Sequence, residues 1–207
     1  MEDTRTELVM ILDQSGSMAR MRDVVVTSHN DFLSQQKQQE GELTFSRVWF
    51  NSLIFNEATN GRALDEARRL RRYEFCPGGA TALLDAIGLT IEARPEAHDV
   101  IVVVITDGLE NASRRFTHEQ IASMIRSCEE ERGWEFVFLA AGLEVAEQAV
   151  RMGLERKRAF NMGRSARSHK EGVDLLSLKL GRYRQTGRKS DLDFTTREQQ
   201  EADDRDI

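Results

Sequence analysis

Apolar and polar residues alternate along this chain in blocks that predict strands and helices in turn. Short runs that are almost wholly apolar are typical of strands buried on both faces of a parallel sheet. An alternating run with a second short run close behind it predicts an antiparallel hairpin. The predicted strands cover residues 8–12, 43–50, 53–55, 100–105, 135–141 and 159–161.

Longer segments with apolar residues at helical spacing separate these runs. Thr117 and Gln120 have the spacing of a capping box, and Pro95 ends the helix that begins near Leu83. Asn60-Gly61 is a turn signal. Helices are predicted at residues 18–39, 65–72, 83–94, 117–132, 145–152 and 165–183, the last one weakened by Gly172.

This alternation predicts an α/β protein with a three-layer, doubly wound, Rossmann-like fold. We expect a mostly parallel central sheet of about six strands with one antiparallel edge strand. The first and fourth strands of such a sheet lie side by side at its switch point, where ligands bind beyond the carboxyl ends of the strands.

The composition suits one domain with a short appendage. The chain has 207 residues, of which 40% are hydrophobic and 31% charged. We predict a domain over residues 1–186 and a flexible acidic tail over 187–207, where apolar residues nearly vanish. The tail carboxylates could occupy a metal site on the same copy, giving autoinhibition, or on another copy, giving assembly, although a solubilising role is favoured. These carboxylates are Glu201, Asp203, Asp204 and Asp206.

Charge and cysteine content restrict the partners and the compartment. A net charge of -6 and a pI near 5.4 argue against a nucleic-acid partner. Cys76 and Cys128 show neither disulfide-framework nor metal spacing. Since no apolar stretch resembles a signal peptide or a membrane span, we expect a cytoplasmic protein with no membrane contact.

Three loops at strand ends or helix starts hold the candidate chemistry. The first carries Asp13, Ser15 and Ser17, the second Thr81 and the third Asp107. Hydroxyls and carboxylates supply only oxygen ligands, which suit Mg²⁺, with Mn²⁺ or Ca²⁺ as alternatives. A cation between the two carboxylates would remove their mutual repulsion.

These loops resemble the metal-ion-dependent adhesion site of von Willebrand factor A (vWA) domains, over roughly residues 6 to 162. The resemblance to small bacterial or phage members implies a complete site. It implies that Ser15 and Ser17 are direct ligands, that Thr81 changes shell with state, and that Asp13 and Asp107 hold waters or orient the serines. The segments that carry it are Asp13-Gln14-Ser15-Gly16-Ser17, Gly78-Gly79-Ala80-Thr81 and Thr106-Asp107-Gly108.

The resemblance implies a non-enzymatic protein-interaction module whose partner supplies an Asp or Glu to the bound ion. The alternatives for single residues are helix capping, by Asp13, the two serines or Thr81, and an ordinary Asp-Gly turn at Asp107. Glu110 and Asn111 are expected in a solvated loop.

No histidine falls in the three loops, and the Gly78-Gly79 loop lacks the Lys of a phosphate-binding loop. A metal-dependent hydrolase acting on phosphoesters is the alternative function.

Overall fold

Six strands form one sheet in the order β3-β2-β1-β4-β5-β6. The computed structural model describes residues 6–97 and 99–203. Five strands are parallel, and β3 pairs antiparallel with β2 at the edge, so the predicted fold class is confirmed. The strands are β1 (Thr6–Asp13), β2 (Leu43–Phe50), β3 (Phe55–Ala63), β4 (Val100–Thr106), β5 (Glu135–Ala140) and β6 (Ala159–Asn161).

Helices cover both faces of this sheet. The capping box at Thr117 forms with both of its hydrogen bonds. Gly172 lies inside the helix Ala166–Thr186, and Met162 fills the space that a Cβ at this position would occupy. None of the described helices is long and apolar enough to cross a membrane. The helices are α1 (Arg22–Lys37), α2 (Leu83–Glu92), α3 (His118–Arg132), α4 (Leu143–Arg151), α5 (Ala166–Thr186) and α6 (Thr196–Asp203).

Alternation along the central strands produces two separate cores. In β1, Leu8, Met10 and Leu12 face the core shared with α1 and α5. Val9 and Ile11 face the opposite core, shared with α2, α3 and α4. Because both faces are buried, every residue from Leu8 to Asp13 is buried.

The β2–β3 hairpin forms, but its turn differs from the prediction. Leu53 and Ile54 lie in the turn, whereas β3 begins at Phe55 and runs through Asn60 and Gly61. The expected Asn-Gly turn is instead a β-bulge, in which Gly61 has a positive φ and its N–H donates to Ser46 Oγ at 2.8 Å.

The helix predicted at residues 65–72 is wrong beyond its first turn. A 3-10 turn spans Leu64–Glu66, and the chain then extends so that Leu70 is buried. Asn30 holds this extended segment, since its side chain accepts from Leu70 N and donates to Leu70 O. Two long-range hydrogen bonds therefore override the local helical pattern.

The prediction of a flexible tail from residue 187 is also wrong for most of its length. A 3-10 turn at Lys189–Leu192 and α6 follow α5, and Leu192 and Phe194 are buried in the first core. Phe194 stacks on Phe160, with ring centroids 4.7 Å apart. These two apolar side chains, together with ion pairs from Arg158 to Asp193 and from Lys179 to Glu198, dock an otherwise polar segment. Residues 204–207, with Asp204 and Asp206, lie outside the described residues.

We predict that Phe194→Ala lowers the free energy of unfolding by about 3 kcal/mol or more, because a buried aromatic ring leaves a cavity. Leu178→Ala, at a side chain that is 65% exposed on α5, serves as the control and should change stability by less than about 0.5 kcal/mol. Urea unfolding measures both. An unchanged stability in Phe194→Ala would show that the C-terminal segment is not part of the domain.

A buried histidine makes the stability of the domain depend on pH. Arg47 can only donate, so His29 Nε2 accepts its hydrogen bond at 3.0 Å while Nδ1–H donates to Met10 Sδ at 3.2 Å. Burial, reinforced by the charge of Arg47, holds the pKa of His29 well below its ordinary value of 6.5. The unfolded chain takes up a proton below that value and the folded chain does not, so stability is lost as pH falls.

We therefore expect the wild type to lose about 2 kcal/mol more than His29→Gln between pH 7 and pH 5, which is 1.5 pH units below the ordinary pKa. Urea unfolding at the two pH values measures the difference. Equal losses in both proteins would show that His29 titrates normally in the folded state.

Candidate metal centre

Asp13 ends β1 with its side chain fully buried between two fixed donors. Its Oδ1 accepts from Ser15 N at 2.6 Å, and its Oδ2 accepts from Thr106 Oγ1 at 2.5 Å. Since β1 and β4 are parallel neighbours, the second bond joins the carboxyl ends of the two central strands. The carboxylate is therefore held in one orientation.

The two serines of the first loop point to the same place. Ser15 Oγ and Ser17 Oγ lie 3.0 Å apart, and Ser17 Oγ donates to Asp107 Oδ1 at 2.6 Å. Ser15 occupies the N-cap position of the 3-10 turn Gly16–Met21, but its side chain makes no capping hydrogen bond. The capping alternative therefore does not account for Ser15.

Thr81 reaches this cluster because Gly108 has no side chain. A Cβ on Gly108 would lie 2.5 Å from Thr81 Oγ1 and 3.5 Å from Asp13 Oδ2, so the loops after β1 and β4 and the loop before α2 meet at this glycine. Gly16 N donates to Gly79 O at 3.0 Å, which ties the first loop to the second. All five side chains predicted from the sequence thus come together at the carboxyl edge of the sheet.

In the loop after β4, Asn111 is exposed, as expected for a solvated loop, while Glu110 is partly buried; both side chains accept hydrogen bonds that order the loop. Asn111 Oδ1 accepts from Thr81 N at 2.9 Å, and Thr81 O accepts from Asn111 N at 3.1 Å. The Glu110 carboxylate accepts from Leu84 N in the first turn of α2 and from Ser113 N and Oγ. Glu110 and Asn111 therefore position Thr81.

The cluster holds the buried carboxyl group of Asp13 and the partly buried carboxyl group of Asp107. Burial raises the pKa of Asp13 to about 6, opposed by hydrogen bonds from Thr106 and Ser15, with the charge of Asp107 adding to the rise. Burial also raises the pKa of Asp107, against the hydrogen bond from Ser17 and the charge of Arg164. A cation at this point would favour the ionised form of both groups.

The donor set fits a small, hard cation. Mg²⁺ binds oxygen at about 2.1 Å in an octahedron, so adjacent ligands lie about 3.0 Å apart. Ser15 Oγ and Ser17 Oγ have this separation. Among the described residues, no group of three or more His, Cys, Asp and Glu side chains is arranged to hold a metal ion. Hydroxyls must therefore supply part of any coordination sphere, which disfavours zinc.

The sequence did not predict the roles of three further residues of the site. Thr106 holds Asp13, and Gln148 holds the loop after β4 by donating to Gly108 O at 3.0 Å and accepting from Glu110 N at 2.8 Å. Arg164 lies beside Asp107 in the same cleft. Thr106 was within reach of prediction, as the last residue of a buried strand, but Gln148 and Arg164 carry no local signal.

Comparison with protein families gives a match to the model described as "VWA domain containing CoxE-like protein" over residues 2–162. A comparison with curated proteins finds no match.

Solved structures share the fold at low identity. The von Willebrand factor type A protein from Catenulispora acidiphila is 15% identical with a TM-score of 0.56, and the match covers 85% of this chain and 42% of that chain. The pilus adhesin SpaC from Lactobacillus rhamnosus GG is 11% identical with a TM-score of 0.67 over 87% of this chain and 31% of that one.

The vWF domain of the type V pili tip protein Mfa5 from Porphyromonas gingivalis is 10% identical with a TM-score of 0.64, over 89% of this chain and 98% of that chain. Several of the matched proteins are longer, since this chain spans 42%, 45% and 62% of three of them. Identities this low show the fold alone. The family match, which covers more than half of the sequence, shows that the chain belongs to the VWA domain containing CoxE-like proteins.

Proposed function

We propose that the carboxyl edge of the sheet is a metal-dependent protein-interaction site, at which a partner's Asp or Glu completes the coordination of a divalent cation. Asp13, Ser15, Ser17, Thr81 and Asp107 would hold the ion, which we take to be Mg²⁺, with Mn²⁺ or Ca²⁺ as alternatives. The observation that carries the proposal is the 3.0 Å separation of the two serine hydroxyls beside the Asp13 and Asp107 carboxyls. Domains of the vWA family generally mediate protein interactions.

The chain's own residues give the site its character. The Asp13 carboxylate is already bonded to Thr106 and Ser15, and Asp107 is bonded to Ser17. The carboxylates are therefore suited to orienting ligands and holding water, and the neutral hydroxyls would supply the direct contacts to a bound ion. A divalent ion held mainly by neutral oxygens keeps most of its charge and attracts an external carboxylate.

Exposed apolar side chains around the same edge support a protein partner. Most large apolar side chains of the described residues are buried, but several of the exposed ones follow the carboxyl ends of β2, β4 and β5. Leu53, which is 82% exposed, lies next to Gly79 of the Thr81 loop. Large apolar side chains that are exposed together on one surface mark protein-interaction sites. The members of this apolar rim are Leu53, Ile54, Phe55, Leu109 and Leu143.

The hydrolase alternative has less support. Ser15 and Ser17 hydrogen-bond to each other, and Ser17 donates to the Asp107 carboxylate. No histidine lies among the described residues that line the cleft beside Asp107. His29 has both ring nitrogens engaged with Arg47 and Met10 in the core. A nucleophilic serine needs a general base, and a cation at this site would hold Asp107 in its ionised form and make it a weak base for Ser17. We therefore propose a binding module and not an enzyme.

The state of the cysteines supports a proposal for the cellular compartment of the protein. Cys76 and Cys128 are both free thiols, one exposed and one buried. Unpaired cysteines are typical of proteins in a reducing environment. We propose the cytoplasm on this basis.

We predict that MgCl₂ raises the thermal unfolding temperature of the wild type, since an ion that binds only the folded state at 100 times its Kd adds about 2.7 kcal/mol. Ser15→Ala should abolish this rise while leaving the unfolding temperature in EDTA close to that of the wild type. Ser123→Ala, at an exposed serine on α3, is the matched control and should keep the full response. Scanning calorimetry with and without EDTA measures all three, and a wild type that does not respond to Mg²⁺, Mn²⁺ or Ca²⁺ contradicts the proposal.

For a partner captured from the native host with Mg²⁺ and released by EDTA, we predict that Leu53→Ser weakens binding at least tenfold, as expected for an exposed apolar anchor beside the ion. Leu178→Ser changes the same residue type in the second half of α5, away from this edge, and should bind like the wild type. Titration calorimetry with the purified partner gives both affinities. Equal weakening by both variants, or a failure to find any captured protein that EDTA releases, would rule out this edge as the interface.

A further inference from the structure

The turn between β2 and β3 lies against the loop that carries Thr81. Ser52 makes both hydrogen bonds of this contact, since its backbone N–H donates to Ala80 O at 2.8 Å and its Oγ accepts from Ala80 N at 2.9 Å. Gly79 permits the close approach, because a Cβ on it would lie 2.9 Å from Ser52 Oγ. One exposed serine therefore satisfies both backbone polar groups of the residue next to a proposed ligand.

The same turn also contacts the loop that follows β1. Asn51 Nδ2 donates to Gln14 O at 3.4 Å, and Gln14 O accepts in addition from Gly78 N at 2.8 Å. Asn51 Oδ1 accepts from the backbone N–H groups of Leu53 and Ile54 at 2.8 and 2.9 Å, which closes the turn. The three segments therefore form one hydrogen-bonded unit.

The Thr81 loop depends on its neighbours for its position, because two consecutive glycines give its backbone wide conformational freedom. Gln14 and Gly16 hold these glycines, and Asn111 holds Thr81. These three residues belong to the two loops that carry the other proposed ligands. Ser52 supplies the hydrogen bonds that reach the Thr81 loop from outside the proposed metal loops.

The turn presents part of the apolar rim to solvent. Leu53 and Ile54 are both exposed, and a Cβ on Gly79 would lie 3.7 Å from Leu53 Cγ. A partner that packs on Leu53 would thus contact an element that is bonded directly to the Thr81 loop. A contact at the turn and an ion at the metal centre would act on the same pair of hydrogen bonds.

We propose that Ser52 is a positioning residue of the metal centre, and that through it the exposed turn and the bound ion order one another. This inference rests on the proposed function and adds its regulation. Whichever ligand binds first orders the contact between Ser52 and Ala80, so the second loses less conformational entropy. A partner on the turn raises the affinity for the ion, and the ion raises the affinity for the partner by the same factor.

Magnesium affinity tests the positioning role. Ser52→Ala removes the acceptor of Ala80 N and should weaken Mg²⁺ binding about tenfold, as expected for a residue that positions a metal ligand. Ser52→Thr keeps the hydroxyl oxygen and should stay within about twofold of the wild type. Ser123→Ala, at an exposed serine on α3, is the matched control and should bind like the wild type. Titration calorimetry of the full-length proteins with MgCl₂ gives the affinities, and thermal unfolding in EDTA compares their folded states.

Amide hydrogen exchange tests the link between the ion and the turn. The N–H groups of Leu53 and Ile54 both donate to Asn51, so their exchange rates report how well the turn is ordered. At concentrations that saturate each protein, MgCl₂ should slow both rates about fivefold in the wild type and in Ser52→Thr, a small coupling between two sites. It should leave the rates unchanged in Ser52→Ala. NMR of the ¹⁵N-labelled full-length proteins gives the rates.

Each failure has a separate meaning. If the wild type binds Mg²⁺ and Ser52→Ala binds it equally well, the metal centre stands and the positioning role is overturned. If Ser52→Thr loses as much affinity as Ser52→Ala, the hydroxyl is not the cause and the role is likewise overturned. Exchange at the turn that ignores the ion in the wild type overturns the coupling. If the wild type binds no divalent cation, the proposed function fails and this inference fails with it.

Discussion

The hydrogen bond from Thr106 Oγ1 to Asp13 Oδ2 joins the two central strands at the point where both end. It forms because β1 and β4 are parallel neighbours, and the same pairing brings the loops that follow the two strands together. With Asp13 fixed, its other oxygen accepts from Ser15 N and shapes the turn that brings Ser15 and Ser17 together. The strands beneath are buried on both faces, so this edge stands on the closely packed centre of the sheet.

A rigid base allows the edge to hold groups that oppose stability. Several features of this edge are costly or neutral for folding. They are the Asp13 and Asp107 carboxyls with raised pKa values, the glycine that makes room for Thr81, and the cleft lined by two arginines. Proteins place such features where they act on a ligand. The apolar rim has the same character, since exposed leucines gain nothing for the isolated chain.

The sequence predicted the fold and the positions of the five candidate site residues well, because both depend on strong signals. Buried strands are continuous apolar runs, and the strand order brings Asp13 and Asp107 together through general rules of α/β sheets. Local signals failed where distant contacts decide the outcome. Asn30 extends the segment at Leu70, Ser46 accepts from a bulged Gly61, and the stack of Phe194 on Phe160 docks a tail that its composition describes as disordered. Arg164 could not be found either, because its place depends on Gly142 and Asn161 in two other loops.

The central claim is that the two serine hydroxyls share one ion. Anomalous diffraction from crystals of the protein soaked in MnCl₂ tests it most directly, because Mn²⁺ takes the same oxygen ligands as Mg²⁺ and can be located without ambiguity. The account predicts a single strong peak within bonding distance of both Ser15 Oγ and Ser17 Oγ, with Asp13 and Asp107 beside it. A peak bound elsewhere, or none at this edge while the serines keep their 3.0 Å contact, would contradict it.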